Sequence, residues 1–352
     1  MKYSVSALLC ALISLPTAAA EFSGGGFIKA DAKLAHGTLA FKPILDGNPG
    51  GIAQRHTQTQ FSAQESRFHL SINQGSNPDD SLRAYAEIDF AGSAQGNTYV
   101  SNSYSPRLRH AYLSYQGFTA GQTWSTLVNT ASFPESANLG GALVGEAMVR
   151  QAQLRFTRGS WQFALENPAW LTRDYDETAT PEADMALPDL IVKYSHDADW
   201  GNVSVAALAR SLPIDGSQQA AFGTSLSGLL RINPQSELVW QLHYGHLGRY
   251  IGTSAAADVF NNQPELTRGG MLSLRHHLTE SSRSNLYLGL IDTEAEQNRR
   301  GHLALNLFHD LRANLSIGIE LGHYLVRDKA NPYRSQAQGD SSYVQLSSIL
   351  HF

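Results

Sequence analysis

Ten basic residues (Lys29, Lys33, Arg67, Arg83, Arg109, Arg155, Lys193, Arg210, Arg231 and Arg275) occupy polar positions in short segments where polar and apolar residues alternate. The acids at equivalent positions are fewer: Asp31, Glu87, Asp89, Glu166 and Glu320. If these positions share one enclosed face, that face is net positive although the chain carries a formal charge of −5. A guanidinium presents a planar fork of donors that fits a carboxylate in two parallel hydrogen bonds. A row of such groups along a narrow, partly dry passage attracts anions and releases them again. Any single arginine could instead pair with a carboxylate of the same wall, so the group is a stronger signal than any member. Catalysis would need a nucleophile and a base converging in one place. The chain has 13 histidines, but His110, His243, His276 and His277 are scattered and no nucleophile motif accompanies them. The reading is therefore non-enzymatic, with no cofactor and no metal.

The elements that must hold these residues are strands. Ile28, Ala30, Ala32 and Leu34 alternate with Lys29, Asp31 and Lys33; Phe68, Leu70 and Ile72 with Arg67, His69, Ser71 and Asn73. Leu82, Ala84, Ala86, Ile88 and Phe90 alternate with Arg83, Tyr85, Glu87 and Asp89. The chain closes on Val344, Leu346 and Leu350 interleaved with polar residues, then Phe352. A period of two with charge on one side needs water on that side and an apolar medium on the other. The pattern recurs in about sixteen segments. Connections alternate short and long, the long ones around 35–64, 92–106, 125–148, 168–188, 211–221, 247–266, 292–300 and 326–341. Short turns at one end and long loops at the other indicate an all-β, transmembrane antiparallel barrel, with Phe68, Phe90, Leu288 and Leu350 facing lipid. A soluble sandwich would lack this two-sidedness, and a propeller would show an internal repeat. A barrel of that size encloses a water-filled channel rather than a packed core.

Lys2, the apolar run Val5 to Leu15, Pro16 and Ala18-Ala19-Ala20 form a secretory signal expected to be cut before Glu21. The expected domains are a signal peptide over 1–20 and a barrel over 21–352. Cys10 falls in the discarded part, so no disulfide framework is expected. Negative net charge excludes a strongly basic nucleic-acid binder. Export together with the barrel pattern predicts the outer membrane of a Gram-negative bacterium, with its lipid and lipopolysaccharide as neighbours. Much of the acid falls in a loop, at Asp174, Asp176, Glu177, Glu182 and Asp184.

The loop Thr126–Met148 contains Pro134-Glu135, Gly140-Gly141 and Gly145-Glu146, and is small and weakly charged, so it need not stay in solvent. Around it lie Gln64-Glu-Ser-Arg-Phe68, Glu87-Ile-Asp-Phe90, Arg107-Leu-Arg-His-Ala-Tyr112, Gly121-Gln-Thr-Trp-Ser125, Phe133-Pro-Glu135 and Val149-Arg-Gln-Ala-Gln-Leu-Arg155. These motifs, confined to about residues 64–157, resemble the DcaP-like porins. The resemblance implies a homotrimer for small anions, dicarboxylates among them, with the third long loop folded into the barrel. It also implies that Arg109, Arg150 and Arg155 stand near the constriction with Glu135 on the loop. The parity of Arg150 conflicts with that of Arg155. The helical extension some members carry before the barrel has no room here, since the first strand follows the signal closely. The expected function is passive, anion-preferring uptake of small solutes, with Arg67 and Arg83 feeding the narrow zone. The alternatives are a non-selective diffusion channel, a barrel enzyme or an adhesin.

Overall fold

The computed structural model describes residues 20–38, 54–75, 81–91, 103–138, 144–171, 187–251, 256–329 and 338–352. The signal segment 1–19, Gly140-Gly141 and the acidic loop residues 174–184 lie outside them. The wall begins with β1 (Glu21–Gly37), β2 (His56–Ser62), β3 (Arg67–Gln74), β4 (Leu82–Asp89), β5 (Arg107–Tyr115) and β6 (Phe118–Trp124). It continues through β7 (Arg150–Arg158), β8 (Trp161–Glu166), β9 (Asp189–Ala198), β10 (Gly201–Ile214), β11 (Ser217–Asn233) and β12 (Ser236–Gly245). A short hairpin, β13 (Val259–Phe260) and β14 (Gln263–Pro264), rises from the next loop. The wall ends with β15 (Thr267–His277), β16 (Ser282–Thr293), β17 (Arg299–Arg312), β18 (Leu315–Arg327) and β19 (Gln338–His351).

Every neighbouring pair is antiparallel, and β19 returns to pair with β1 from Phe27↔His351 to Gly37↔Ser341, so no edge is left open. The sheet has 17 segments, but β2 and β3 pair with successive stretches of β1 and form one broken stave. The barrel therefore has sixteen staves, as the alternation predicted. Alternation of burial follows the pleat. In β17, Leu303, Leu305 and Leu307 face outward while His302, Ala304, Asn306 and Phe308 are buried within. Phe68, Leu288 and Leu350 point outward as expected. Phe90 lies just beyond β4, half-buried, its ring edge-on to Phe68 at 6.3 Å.

Three connections differ from the expectation. The span 35–64 holds β2, whose outward face is polar but for Phe61: Thr57, Thr59 and Phe61 point out, Gln58 and Gln60 in. A strand with a single apolar residue carries no alternation to read. At 211–221 there is no long loop. β10 runs on through Pro213 to a two-residue Asp215–Gly216 turn, both residues at positive φ (50° and 71°), which is the geometry Asp-Gly favours in hairpins. The connection at 292–300 likewise shortens to residues 294–298.

Candidate functional site

Between Trp124 and Arg150 the chain leaves the wall and crosses the interior. On one side Thr126 N–H donates to Glu166 (2.6 Å) and Lys193 Nζ donates to the Val128 carbonyl (2.9 Å). A single 3₁₀ turn, Thr130–Ser132, is capped by the Asn129 side chain, and the Ser132 carbonyl accepts from Gln241 of β12. On the far side Ser136 Oγ and Ala137 N–H donate to Glu320 Oε2 (2.9 and 2.8 Å), and Gln345 Nε2 donates to the Ala137 carbonyl (2.9 Å). Glu135 reaches Arg283 (2.7 Å) and Arg275 (3.9 Å). The return limb lies flat on the wall because both partners are glycine. A Cβ on Gly145 (φ +79°) would stand 2.1 Å from the Gly270 carbonyl oxygen, and one on Gly289 would stand 2.0 Å from that of Val144. Leu127, Val128, Val144 and Ala147 pack with the inward Ala164, Ile191, Ala206 and Leu208 of the wall. The loop is thus folded into the barrel.

On the loop's return limb, Glu146 is fully buried and its Oε2 has no hydrogen-bond partner. Burial holds its carboxyl well above the usual carboxylate range, against the pull of Arg150.

A second cluster stands on β3–β7. Arg107 grips Asp89 with two bonds of 2.8 Å. Arg109 donates to Glu87 (2.5 Å) and to Asp89 (2.8 Å). It reaches them because the β4–β5 register slips between Glu87 and Ile88, so successive residues Arg109 and His110 are both buried while Leu108 faces out. A bulge re-aims a side chain in this way. The residues implied by the motifs therefore separate into two kinds. Arg109 and Glu135 are committed to ion pairs. Arg67, Arg150 and Arg155 each keep a buried Nε without a hydrogen-bond partner, and none makes an ion pair among the described residues. Arg67 lies over the Phe27 ring at 5.2 Å and Arg150 over Trp124 at 3.5 Å. Arg150 has outward parity but opens β7 where strand meets loop, which resolves its conflict with Arg155. Arg109, Arg67 and Arg107 are all electrostatic neighbours of Arg150. Arg155 sits apart from them, near Lys193 and Glu166. Arg83 is exposed, over Tyr85 at 5.1 Å.

Two participants escaped the sequence reading. Arg283 anchors the loop, and extending the Asn285–Tyr287 alternation by one step would have included it. Arg107 was visible only as part of a motif. The histidines do not converge. His110 meets Thr123 Oγ1 (3.0 Å) beside Glu87, which Arg109 and Tyr85 already occupy, and His276 meets Ser236 (3.0 Å). Among the described residues no cluster of His, Cys, Asp and Glu is placed to hold a metal.

No protein-family model matches the chain, and no curated protein matches its sequence. Its backbone does match solved barrels. It is similar to the outer membrane channel DcaP of Acinetobacter baumannii over 95% of this chain and 97% of that one, with a TM-score of 0.76 at 17% identity. The fold is that of a sixteen-stranded porin. An anion-selective porin from Comamonas acidovorans matches over 95% of this chain and 100% of its own, at 12% identity and a TM-score of 0.59. The trimer form of OmpT, an outer membrane protein of Vibrio cholerae, matches over 95% and 100%, at 11% identity and a TM-score of 0.56. The motif resemblance to the DcaP-like porins and the backbone likeness to DcaP point the same way.

Proposed function

We propose that this protein is an outer-membrane porin of the DcaP-like kind, a water-filled channel that favours small anions, dicarboxylates in particular. The observation that carries the reading is the division among the arginines. Arg107, Arg109, Arg210, Arg275 and Arg283 are matched by wall or loop carboxylates. Arg67, Arg150 and Arg155 are not, and they lie on the wall from which the infolded loop departs. Their charge is therefore left for a solute. Two unmatched sites on one wall suit a dianion, since each carboxylate finds a guanidinium. Two similar solved structures, an outer membrane channel and an anion-selective porin, agree with the reading.

The unit is proposed to be a homotrimer. The six strands from β3 to β8 have 8, 8, 9, 7, 9 and 6 residues, against 10 to 17 in β9–β12 and β15–β19. A tilted strand needs about 9–11 residues to cross a bilayer. The low wall is best served by cover from neighbouring copies.

The test is a reversal potential across a planar bilayer under a salt gradient. Wild-type channels should be anion-selective, and the triple variant R67A/R150A/R155A should move toward cation preference and slow succinate entry in liposome swelling. A wild-type channel without charge preference would favour general diffusion instead.

A further inference from the structure

The outer surface carries a row of charge where an apolar wall is the rule. Arg268 on β15, Asp292 on β16, Arg299 on β17 and Arg327 on β18 are directly opposite one another in register. All four have outward parity, next to the inward Thr267, Thr293, Arg300 and Val326. Asp292 accepts from Arg268 (3.1 Å) and from Arg299 (2.8 Å). Among the described residues Arg327 donates only to the carbonyls of Val326 and Gly339. Two arginines thus share one carboxylate and the third makes no ion pair among the described residues, and the side chains of Arg268 and Arg299 are 54% and 69% exposed. The row lies at the long-loop end of the barrel, where β15 begins, β16 ends, β17 begins and β18 ends.

What lies beneath the row matters as much. The next register row is Gly270, Leu290, Gly301 and Leu325, and the one after it Leu272, Leu288 and Leu303. The two glycines leave hollows on either side of Leu290. Of these residues Gly270, Leu272, Leu288 and Leu290, together with Trp240 and Leu242, line an apolar groove that runs up to Arg268, Asp292 and Arg299, and Gly301 continues the row beside Leu290. A groove with a cationic crown and a greasy floor is complementary to one kind of molecule, which carries anionic groups at its head and hydrocarbon below.

We propose that this face binds a phosphorylated glycolipid of the outer leaflet, its phosphates on Arg268, Arg299 and Arg327 and its acyl chains over Gly270, Leu290 and Gly301. Adjacent strands are about 4.8 Å apart, so the row from Arg268 to Arg327 spans roughly 14 Å. That length suits a headgroup with separated phosphates better than a single phosphodiester. Arginine is the residue that grips phosphate with two parallel bonds. The face lies on the tall wall, away from the low β3–β8 wall, so a trimer formed there would leave it open. The proposal depends on placement in the outer membrane and is independent of what the channel carries.

Native mass spectrometry of the detergent-solubilised protein tests it. Bisphosphorylated lipid A should bind about tenfold more tightly than its dephosphorylated form or phosphatidylglycerol, and inorganic phosphate should not compete at equal concentration. R268Q/R299Q/R327Q should lose that preference while keeping wild-type conductance and charge selectivity. D292N, which frees two arginines, should tighten binding. Equal binding of the dephosphorylated lipid or of phosphatidylglycerol, or unchanged preference in the triple variant, would overturn the assignment. The lumenal variant R67A should bind the lipid as wild type does, which separates failure here from failure of the channel reading.

Discussion

Arg67 and Arg109 are electrostatic neighbours with opposite consequences for removal. Arg109 is almost wholly enclosed, and its loss leaves Glu87 with the Tyr85 hydroxyl and no ion pair to an arginine, and Asp89 with Arg107 alone. An unpaired buried polar group costs about 1–3 kcal/mol. Arg109→Ala should lower the temperature at which the barrel loses its heat-resistant gel mobility. Arg67→Ala has no ion pair to break, so it should leave that temperature unchanged while shifting the reversal potential. Equal thermal loss in both variants would place Arg67 in the wall network. Parity alone was enough to put Arg67, Arg109 and Arg155 on the inner face, because charge recurring at every second residue survives without knowledge of neighbours. Which arginine is already taken depends on register between strands, and at Arg109 on a one-residue bulge. No single-strand pattern contains that. Arg150 and Glu135 lay beyond periodicity altogether, one at a strand end and the other in a loop, and only the motifs pointed to them.

At the scale of the element, the infolded loop is held by polar anchors at its tip and by glycine contacts on its return limb. Gly145→Ala must push the limb from β15 and also adopt a strained backbone at φ +79°. Single-channel conductance should rise as the loop lifts; an unchanged value would mean that the limb does not border the open path. Glu146 gives the same limb a pH dependence. Its buried carboxyl titrates above the ordinary value, so the seated loop prefers the proton. Well below the ordinary carboxylate pKa, seated and lifted loops are both protonated and nothing is lost. As pH rises past that point only the lifted loop ionises freely. Seating weakens until pH passes the raised value of the buried group and is constant above it. Conductance fluctuations should therefore increase with pH over that window, and Glu146→Gln should flatten the dependence. Elements with one wet and one greasy face were legible from the chain. β2 was not, because Phe61 is its one apolar residue, and the β10–β11 turn was not, because Pro213 reads as an interruption when it is part of the strand.

Over the whole molecule the barrel is lopsided. Its low wall presents small outward residues, with Ala84 and Ala86 on β4, Ala111 on β5 and Ala120 on β6. Small side chains let two surfaces approach closely. Leu113, exposed among them, is the residue to probe. Leu113→Arg should convert a trimer into single barrels in mild detergent, read by mass, with charge selectivity retained. A wild-type monomer under the same conditions would sink the trimer. Closure of the barrel has a further consequence, for assembly. The tip of the inner loop rests on Glu320 and Gln345, which belong to the last two strands, and β19 completes the wall only by meeting β1. The narrow passage therefore does not exist in any partly built wall. Until the final strand docks the tip of the loop lacks its anchors, so the order in which the chain is threaded into the membrane decides when the interior is divided.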